Sequence, residues 1–201
     1  MPDKLDLKKK HKTLFAPKNI PQIVEIPPLS YLMIDGEGAP ESTAFGDAIS
    51  ALYSTAYAIK FACKARKGDF VVPPLEALWW ADDMAAFVAG QRDQWRWTAV
   101  IMQPDFVDQD DLAAAHATLL KKKKRTPDHD RLRLATLEEG TVVQVMHLGP
   151  FSEEGPVIAD MHAFAEAEGY RLTGKHHEIY LSDLRRTPPE KLKTVLRQPL
   201  A

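Results

Sequence analysis

The sequence predicts an α+β fold made of two copies of one strand–helix–strand–strand unit. Three observations point there. The 201 residues run twice through one order of elements: strand, glycine turn, amphipathic helix, glycine stop, strand, strand. The two helix stops carry matching tails, Gly68-Asp-Phe70 and Gly169-Tyr-Arg171. A β-α-β-β unit of this size buries its sheet poorly alone, whereas two units side by side make one larger, mainly antiparallel sheet with two long helices packed on it. The seam between the halves is then the expected place for a ligand cleft.

The elements follow in order. Residues 1–17 are lysine-rich and weakly patterned, and read as a basic arm, partly mobile. From Ile20 the chain alternates, and Tyr31-Leu-Met-Ile-Asp-Gly-Glu-Gly38 reads as a strand ending in a glycine turn. Phe45, Ile49, Leu52, Ala56, Ile59 and Cys63 then recur at helical steps. Lys64, Arg66 and Lys67 load the last turn with positive charge, and Gly68 stops it. Two strands come next, about Asp69–Trp80 and Gln94–Met102, with the loop 81–93 between them. Asp108–Lys124 reads as a connecting helix, with aspartates at its start and lysines at its end. The second copy has a strand at Thr141–Leu148, the turn Gly149-Pro150 and a helix marked by Val157, Ile158, Met161, Phe164 and Ala165. Strands at His177–Leu181 and Thr194–Leu200 complete it. The expected organisation is one domain over residues 18–201, with repeats at about 20–107 and 132–201.

Composition removes several classes of function. Twenty-six basic side chains face 28 acidic ones, which argues against a nucleic-acid footprint over the whole surface. The run Lys121–Arg125 reads as a solvated helix end. No run of 18 apolar residues exists, so no membrane helix is expected. The single cysteine, Cys63, sits in the apolar phase of its helix and makes neither an internal disulfide nor a cysteine zinc site, which points to the cytoplasm. No phosphate loop, Gly-x-Ser-x-Gly elbow or His-Glu-x-x-His pair is present. His176 and His177 point to opposite faces of a strand and do not chelate one ion, so neither metal nor cofactor is expected.

Two clusters carry candidate chemistry. On the strand around His177–Leu181, Ile179 and Leu181 are expected to face the helices, and His176, Glu178, Tyr180 and Ser182 the other way. A carboxylate beside an aromatic side chain suits a cationic ligand, or a general base acting on water if burial raises its pKa. The alternative is a solvated glutamate on an open sheet face. The second cluster is tryptophan: Trp79, Trp80, Trp95 and Trp97 fall within 19 residues, on neighbouring strands. One of each pair is free to wall an aromatic cleft. Tyr53 and Tyr57, one turn apart on the first helix, are either core-edge packing or pocket wall.

Several stretches resemble the GyrI-like small-molecule-binding family. They are Ala51-Leu-Tyr-Ser-Thr-Ala-Tyr-Ala-Ile-Lys60, Leu75-Glu-Ala-Leu-Trp-Trp80, His147-Leu-Gly-Pro-Phe151, and the C-terminal run from His177-Glu-Ile-Tyr-Leu-Ser to Gln198-Pro199. The resemblance implies a duplicated β-α-β-β fold with a curved sheet and a cleft between the halves. It implies that Glu178 lies at the bottom of an aromatic pocket and that Phe151, just after the Gly-Pro turn, lines it. The 30 residues before the first strand leave no room for a DNA-binding domain, so the resemblance is to the stand-alone branch. Some members of that branch are similar to hydrolases that open the cyclopropane ring of DNA-alkylating natural products.

Three functions are therefore expected in order. The first is a binding protein for flat aromatic or cationic compounds, with Glu178 as counter-charge and Trp80, Trp97, Phe151 and Tyr180 as walls; Tyr57 and Met146 complete the candidate set. The second is a hydrolase in which Glu178 handles the water and the Tyr53 hydroxyl assists. The third is a protein-interaction or inhibitor module. The expected partner is a small molecule, with no direct nucleic-acid or membrane binding, on a monomer or homodimer.

Overall fold

The computed structural model describes residues 4–82, 91–183 and 186–201. Most of the loop expected between the two tryptophan strands (residues 83–90), and Leu184 and Arg185 of the C-terminal motif, lie outside the described residues. In chain order the described helices are α1 (Leu7–Lys10), α2 (Lys12–Phe15), α3 (Thr43–Arg66), α4 (Gln109–Lys121) and α5 (Glu154–Ala167). The strands are β1 (Gln22–Ile26), β2 (Leu29–Glu37), β3 (Glu76–Trp80), β4 (Arg96–Met102), β5 (Arg133–Leu137), β6 (Gly140–Leu148), β7 (His176–Tyr180) and β8 (Lys193–Pro199).

The fold is α+β, and the repeated order is present as β2-α3-β3-β4 and β6-α5-β7-β8. The chain forms two compact units, Met1–Lys10 with Leu29–Leu137, and His11–Pro28 with Glu138–Ala201. Unit 1 carries the antiparallel order β3-β4-β2-β5. Unit 2 carries the antiparallel order β1-β6-β8-β7. Each repeat thus gains one extra strand. The first, β1, pairs with β6 of the second unit, and β5, which follows the connecting helix, completes the first unit. Element order alone did not reveal this exchange.

In unit 1 the Ser42 side chain caps α3 by accepting the Phe45 N–H at 3.2 Å. The helix buries Phe45, Leu52, Ala56, Ile59 and Cys63 of the stripe expected from the sequence, with Ala48 buried and Ile49 only partly so. Burial first, and then the nearby Asp111 carboxylate, push the Cys63 thiol up to about 11, so it is an inert core side chain. Asp108 and Asp111 form a reciprocal capping box at the start of α4. The Asp111 carboxylate, fully buried, also accepts from Arg66 and Lys67, each at 2.7 Å, which fastens the end of α3 to the start of α4. Lys121–Lys124 are exposed, as a solvated helix end should be.

The aromatic core of unit 1 rests on one missing side chain. Trp97 lies opposite Trp79 on β3 and opposite Gly36 on β2. A Cβ at Gly36 would stand 2.1 Å from Trp97 Cη2, so only glycine lets the indole lie across that strand. From above, the Phe45 ring closes on Trp97 at 4.9 Å, edge-on, and on Trp79 at 5.1 Å.

The N-terminal segment departs from the expected mobile arm. Leu5 pairs with Phe70 in a short parallel bridge, and Leu7, Leu14 and Phe15 are buried. In unit 2 the main-chain carbonyls of Thr13 and Leu14 accept from the side chains of Gln144 (2.8 Å) and Arg197 (3.2 Å). Arg197 is 1% exposed. Its guanidinium also reaches Glu139 at 3.0 Å, and Glu139 takes a second bond from His177 Nδ1 at 2.9 Å. Burial works against ionising Glu139, but the charges of His177 and Arg197 outweigh it and hold the carboxyl down to about 2.

Two outcomes follow from this packing. Gly36→Ala is expected to lose about 1–3 kcal/mol in urea unfolding by overpacking, with part of the loss restored in the double variant Gly36→Ala/Trp97→Phe. The depressed Glu139 carboxyl contributes stability that is present above the unfolded value and lost as pH falls through the folded one. Wild type is therefore expected to shed about 3 kcal/mol between the unperturbed carboxylate range and about pH 2. Glu139→Gln should start less stable at neutral pH and show a flatter loss over that window, as read by denaturant titration at stepped pH.

Candidate functional site

Unit 2 places its chemistry on the face of its sheet that α5 covers. Met161 and Ala165 of α5 pack on Val143, Val145, Leu196 and Leu200. Leu196 lies opposite Val145 on one side and Glu178 on the other, and side chains directly opposite share a face. Glu178 therefore points to the helix side, together with His176 and Tyr180. Ile179 shares the far face with Val195 and Arg197, which corrects the expected orientation of this strand. Both faces of β7 are largely covered, so the alternation of its side chains did not say which face the helix takes.

Glu178 has a side-chain exposure of 17%, neither solvated nor sealed. It accepts the Tyr180 hydroxyl at 2.8 Å, and His176 Nε2 stands 3.5 Å from its other oxygen. Phe151, in the short helical turn before α5, meets Tyr180 edge-on at 5.8 Å and is 39% exposed. Glu178, Tyr180 and Phe151 are thus brought together as the sequence suggested. His176 and His177 do lie on opposite faces, and His177 is engaged with Glu139.

A second carboxyl lies here that the sequence reading missed. Glu154, the first residue of α5, is 5% exposed. Burial first, and then the negative charge of Glu178, push it up to about 9, against a smaller lowering effect of the Thr194 hydroxyl. Thr194 sits opposite Tyr180 in the sheet, on the same face as Glu178. The available signal was a glutamate directly after the Gly-Pro-Phe turn; the apolar stripe alone starts the helix near Val157, one turn late. Farther along α5, burial and then His176 push His162 down, so it adds no positive charge near neutrality. A protonated carboxyl beside a charged one is a ready acid–base pair.

Other expected site residues fall elsewhere. Met146 lies opposite Val195, on the face away from Glu178, so it does not join the Glu178 group. Trp97 is fully buried beneath Phe45 and is core of unit 1, a correction to its expected place on a pocket wall. Trp80 is half-buried and lines a shallow depression of about 600 Å³ in unit 1 with Asp35, Arg96 and Arg131. Its charges are engaged with neighbours: Arg133 grips Asp35 at 2.6 and 3.0 Å, and Arg96 pairs with Asp82 at 2.5 Å. Tyr53 is half-buried on α3, while Tyr57 is 46% exposed and stacks on Phe61 at 6.3 Å. Ser54 and His129, 2.9 Å apart, resemble a nucleophile and its base. The Thr126 N–H donates to Nδ1, so the proton sits on Nε2 and points at Ser54, the wrong tautomer for activating it. Among the described residues no group of three or more His, Cys, Asp or Glu is arranged to hold a metal ion.

Known proteins place this arrangement in context. A conserved protein from Listeria innocua is 45% identical over 98% of this chain and 100% of its own, with a TM-score of 0.93. Two Listeria innocua proteins described as hydrolases are 44% and 43% identical, over 98% and 99% of this chain and 100% of theirs, with TM-scores of 0.88 and 0.90. No curated protein matches. The family model for the GyrI-like small molecule binding domain matches residues 20–201, which take in most of both units together with Glu154 and Glu178, and the chain belongs to that family.

Proposed function

We propose that this chain binds flat aromatic or cationic small molecules at the α5 side of unit 2. Glu178 carries the reading: a carboxylate at 17% exposure, ordered by the Tyr180 hydroxyl and edged by the half-exposed Phe151 ring. A carboxylate so placed has lost much of its water and has no lysine or arginine partner among the described residues, only the His176 ring at 3.5 Å, and a ligand cation supplies a permanent charge. Aromatic edges beside it favour a flat ring system over a simple ammonium ion.

A second reading is favoured by Glu154 and by the hydrolase descriptions of the two Listeria relatives. In it, Glu178 takes a proton from water as the water oxygen bonds to a strained ring carbon. The ring C–C bond breaks, its electron pair moves to a conjugated carbonyl oxygen, and that oxygen takes the proton held by Glu154. No metal or redox partner is required for this balance. Tyr53, on α3, is the proposed additional donor.

Binding is tested by the polarisation of a fluorescent monocation such as rhodamine. Glu178→Gln is expected to weaken it about 10- to 100-fold while leaving a neutral dye of the same shape unaffected. Failure of both dyes to bind wild type overturns the reading. Hydrolysis is tested by mass spectrometry for a water-added product from a cyclopropane-bearing alkylator. The product should vanish in Glu178→Gln and in Glu154→Gln, with Tyr53→Phe measuring the contribution of that hydroxyl; no product from wild type excludes the reaction for that substrate.

A further inference from the structure

The two buried glutamates of unit 2 are treated in opposite ways by the fold. Glu139, at 3% side-chain exposure, receives a guanidinium and an imidazole and is held as a carboxylate. Glu154, at 5%, receives no cationic partner among the described residues and has a second carboxylate as neighbour. Its Oε1 is buried with no hydrogen-bond partner among the described residues. His176 is 7% exposed, and neither ring nitrogen makes a hydrogen bond. Two buried polar side chains on this side, with three polar atoms between them, are thus left incompletely satisfied, which native interiors rarely tolerate without a ligand or water to complete them.

What the described elements on this side lack is a permanent positive charge. The sequences of β6, β7 and α5 contain no lysine or arginine. The two basic residues of β8, Lys193 and Arg197, alternate onto the far face, where Arg197 belongs to Glu139. The titratable groups of unit 2 on the near side are Glu178, Tyr180 and His176 from β7 and His147 from β6, with Glu153, His162 and Glu166 on α5 and its entry. Among the described groups on this side, only histidine rings carry positive charge when protonated, and Glu154 is neutralised by its own proton.

We propose that the Glu154–Glu178 pair is a proton-exchanging receptor for aromatic ligands with two positive centres: such a dication pairs with both carboxylates and releases the Glu154 proton to solvent. This deepens the binding function proposed above and rests on it. A monocation needs only Glu178 and leaves the proton largely in place; a dication supplies enough positive charge for both groups to ionise. Selectivity between the two classes is then set by pH. Because a proton leaves on binding, affinity for the dication rises with pH, by up to about tenfold per unit, until Glu154 ionises unaided. With the carboxyl pushed up to about 9, the rise levels off near that pH.

The test uses two probes of one shape that do not titrate: methyl viologen, a planar dication, and N-methyl-4-phenylpyridinium, the matching monocation. Calorimetry near about pH 7.5, in two buffers of different ionisation enthalpy, counts protons released on binding. Methyl viologen is expected to release about one and the monocation far fewer. In Glu154→Gln the release disappears and methyl viologen weakens about tenfold or more relative to the monocation. The folded variant is checked by its melting temperature. The raised Glu154 value makes that residue cost stability as pH climbs above the unperturbed range, so Glu154→Gln should melt above wild type at alkaline pH and converge with it in acid. If both probes bind with no difference in proton release, and Glu178→Gln still weakens both, the exchange is overturned and the binding function stands. If neither probe binds wild type, both fall together.

Discussion

A guanidinium cannot be left without partners beneath a sheet, and burying Arg197 is the constraint from which the rest of unit 2 follows. Its partners come from four places: Glu139 at the turn into β6, Gln144 on β6, the Leu14 carbonyl of the N-terminal segment, and, through Glu139, His177 on β7. Satisfying them fixes the face to which Arg197 points. Alternation along β8 then sends Thr194 and Leu196 to the α5 side, and the pairing of β8 with β7 sends Tyr180 and Glu178 with them. A slip of one residue would bury Glu178 where Arg197 now lies and leave the guanidinium under α5. The ionic cluster on one face therefore decides the chemistry of the other.

The two units solve the same packing problem with different materials. Unit 1 locks its helix to its sheet with rings: Phe45 descends onto Trp79 and Trp97, and Trp97 occupies the space Gly36 leaves open. Unit 2 has a lighter apolar core of valine, leucine, methionine and alanine under α5, and polar groups at the end where α5 begins. A helix N-terminus favours negative charge, yet Glu154 keeps its proton there, because burial beside Glu178 outweighs the field of fewer than four turns of helix.

Much of this was legible in the sequence. Glycine stops and apolar periodicity gave the repeated order of elements, and Glu178, Tyr180 and Phe151 stood out as a group that the structure brings together. What escaped has physical causes. β7 is covered on both faces, so its pattern does not name the helix side. Trp97 and Trp80 are identical in kind, and only the cross-strand pairing with Gly36 distinguishes the buried ring from the half-buried one. Glu154 begins a helix whose apolar stripe starts a turn later. In the N-terminal segment, Leu7, Leu14 and Phe15 are buried from helices of four residues each, too short to show a period.

The exchanged strands set the order in which the molecule is assembled during synthesis. All strands of unit 1 have been made once Leu137 is added, so its sheet is complete before the pairing strands of unit 2 exist. Gln22–Ile26, made among the first residues, has its partner in Gly140–Leu148, and the Leu14 carbonyl waits for Arg197 near the very end. The segment His11–Pro28 is thus secured only after Leu29–Leu137 has been made, across that whole stretch. Such late, distant pairing slows folding and leaves an unpaired strand edge open in the interval. The charge on Glu25 and the prolines at Pro27 and Pro28 suit that interval, since both disfavour pairing with the wrong edge.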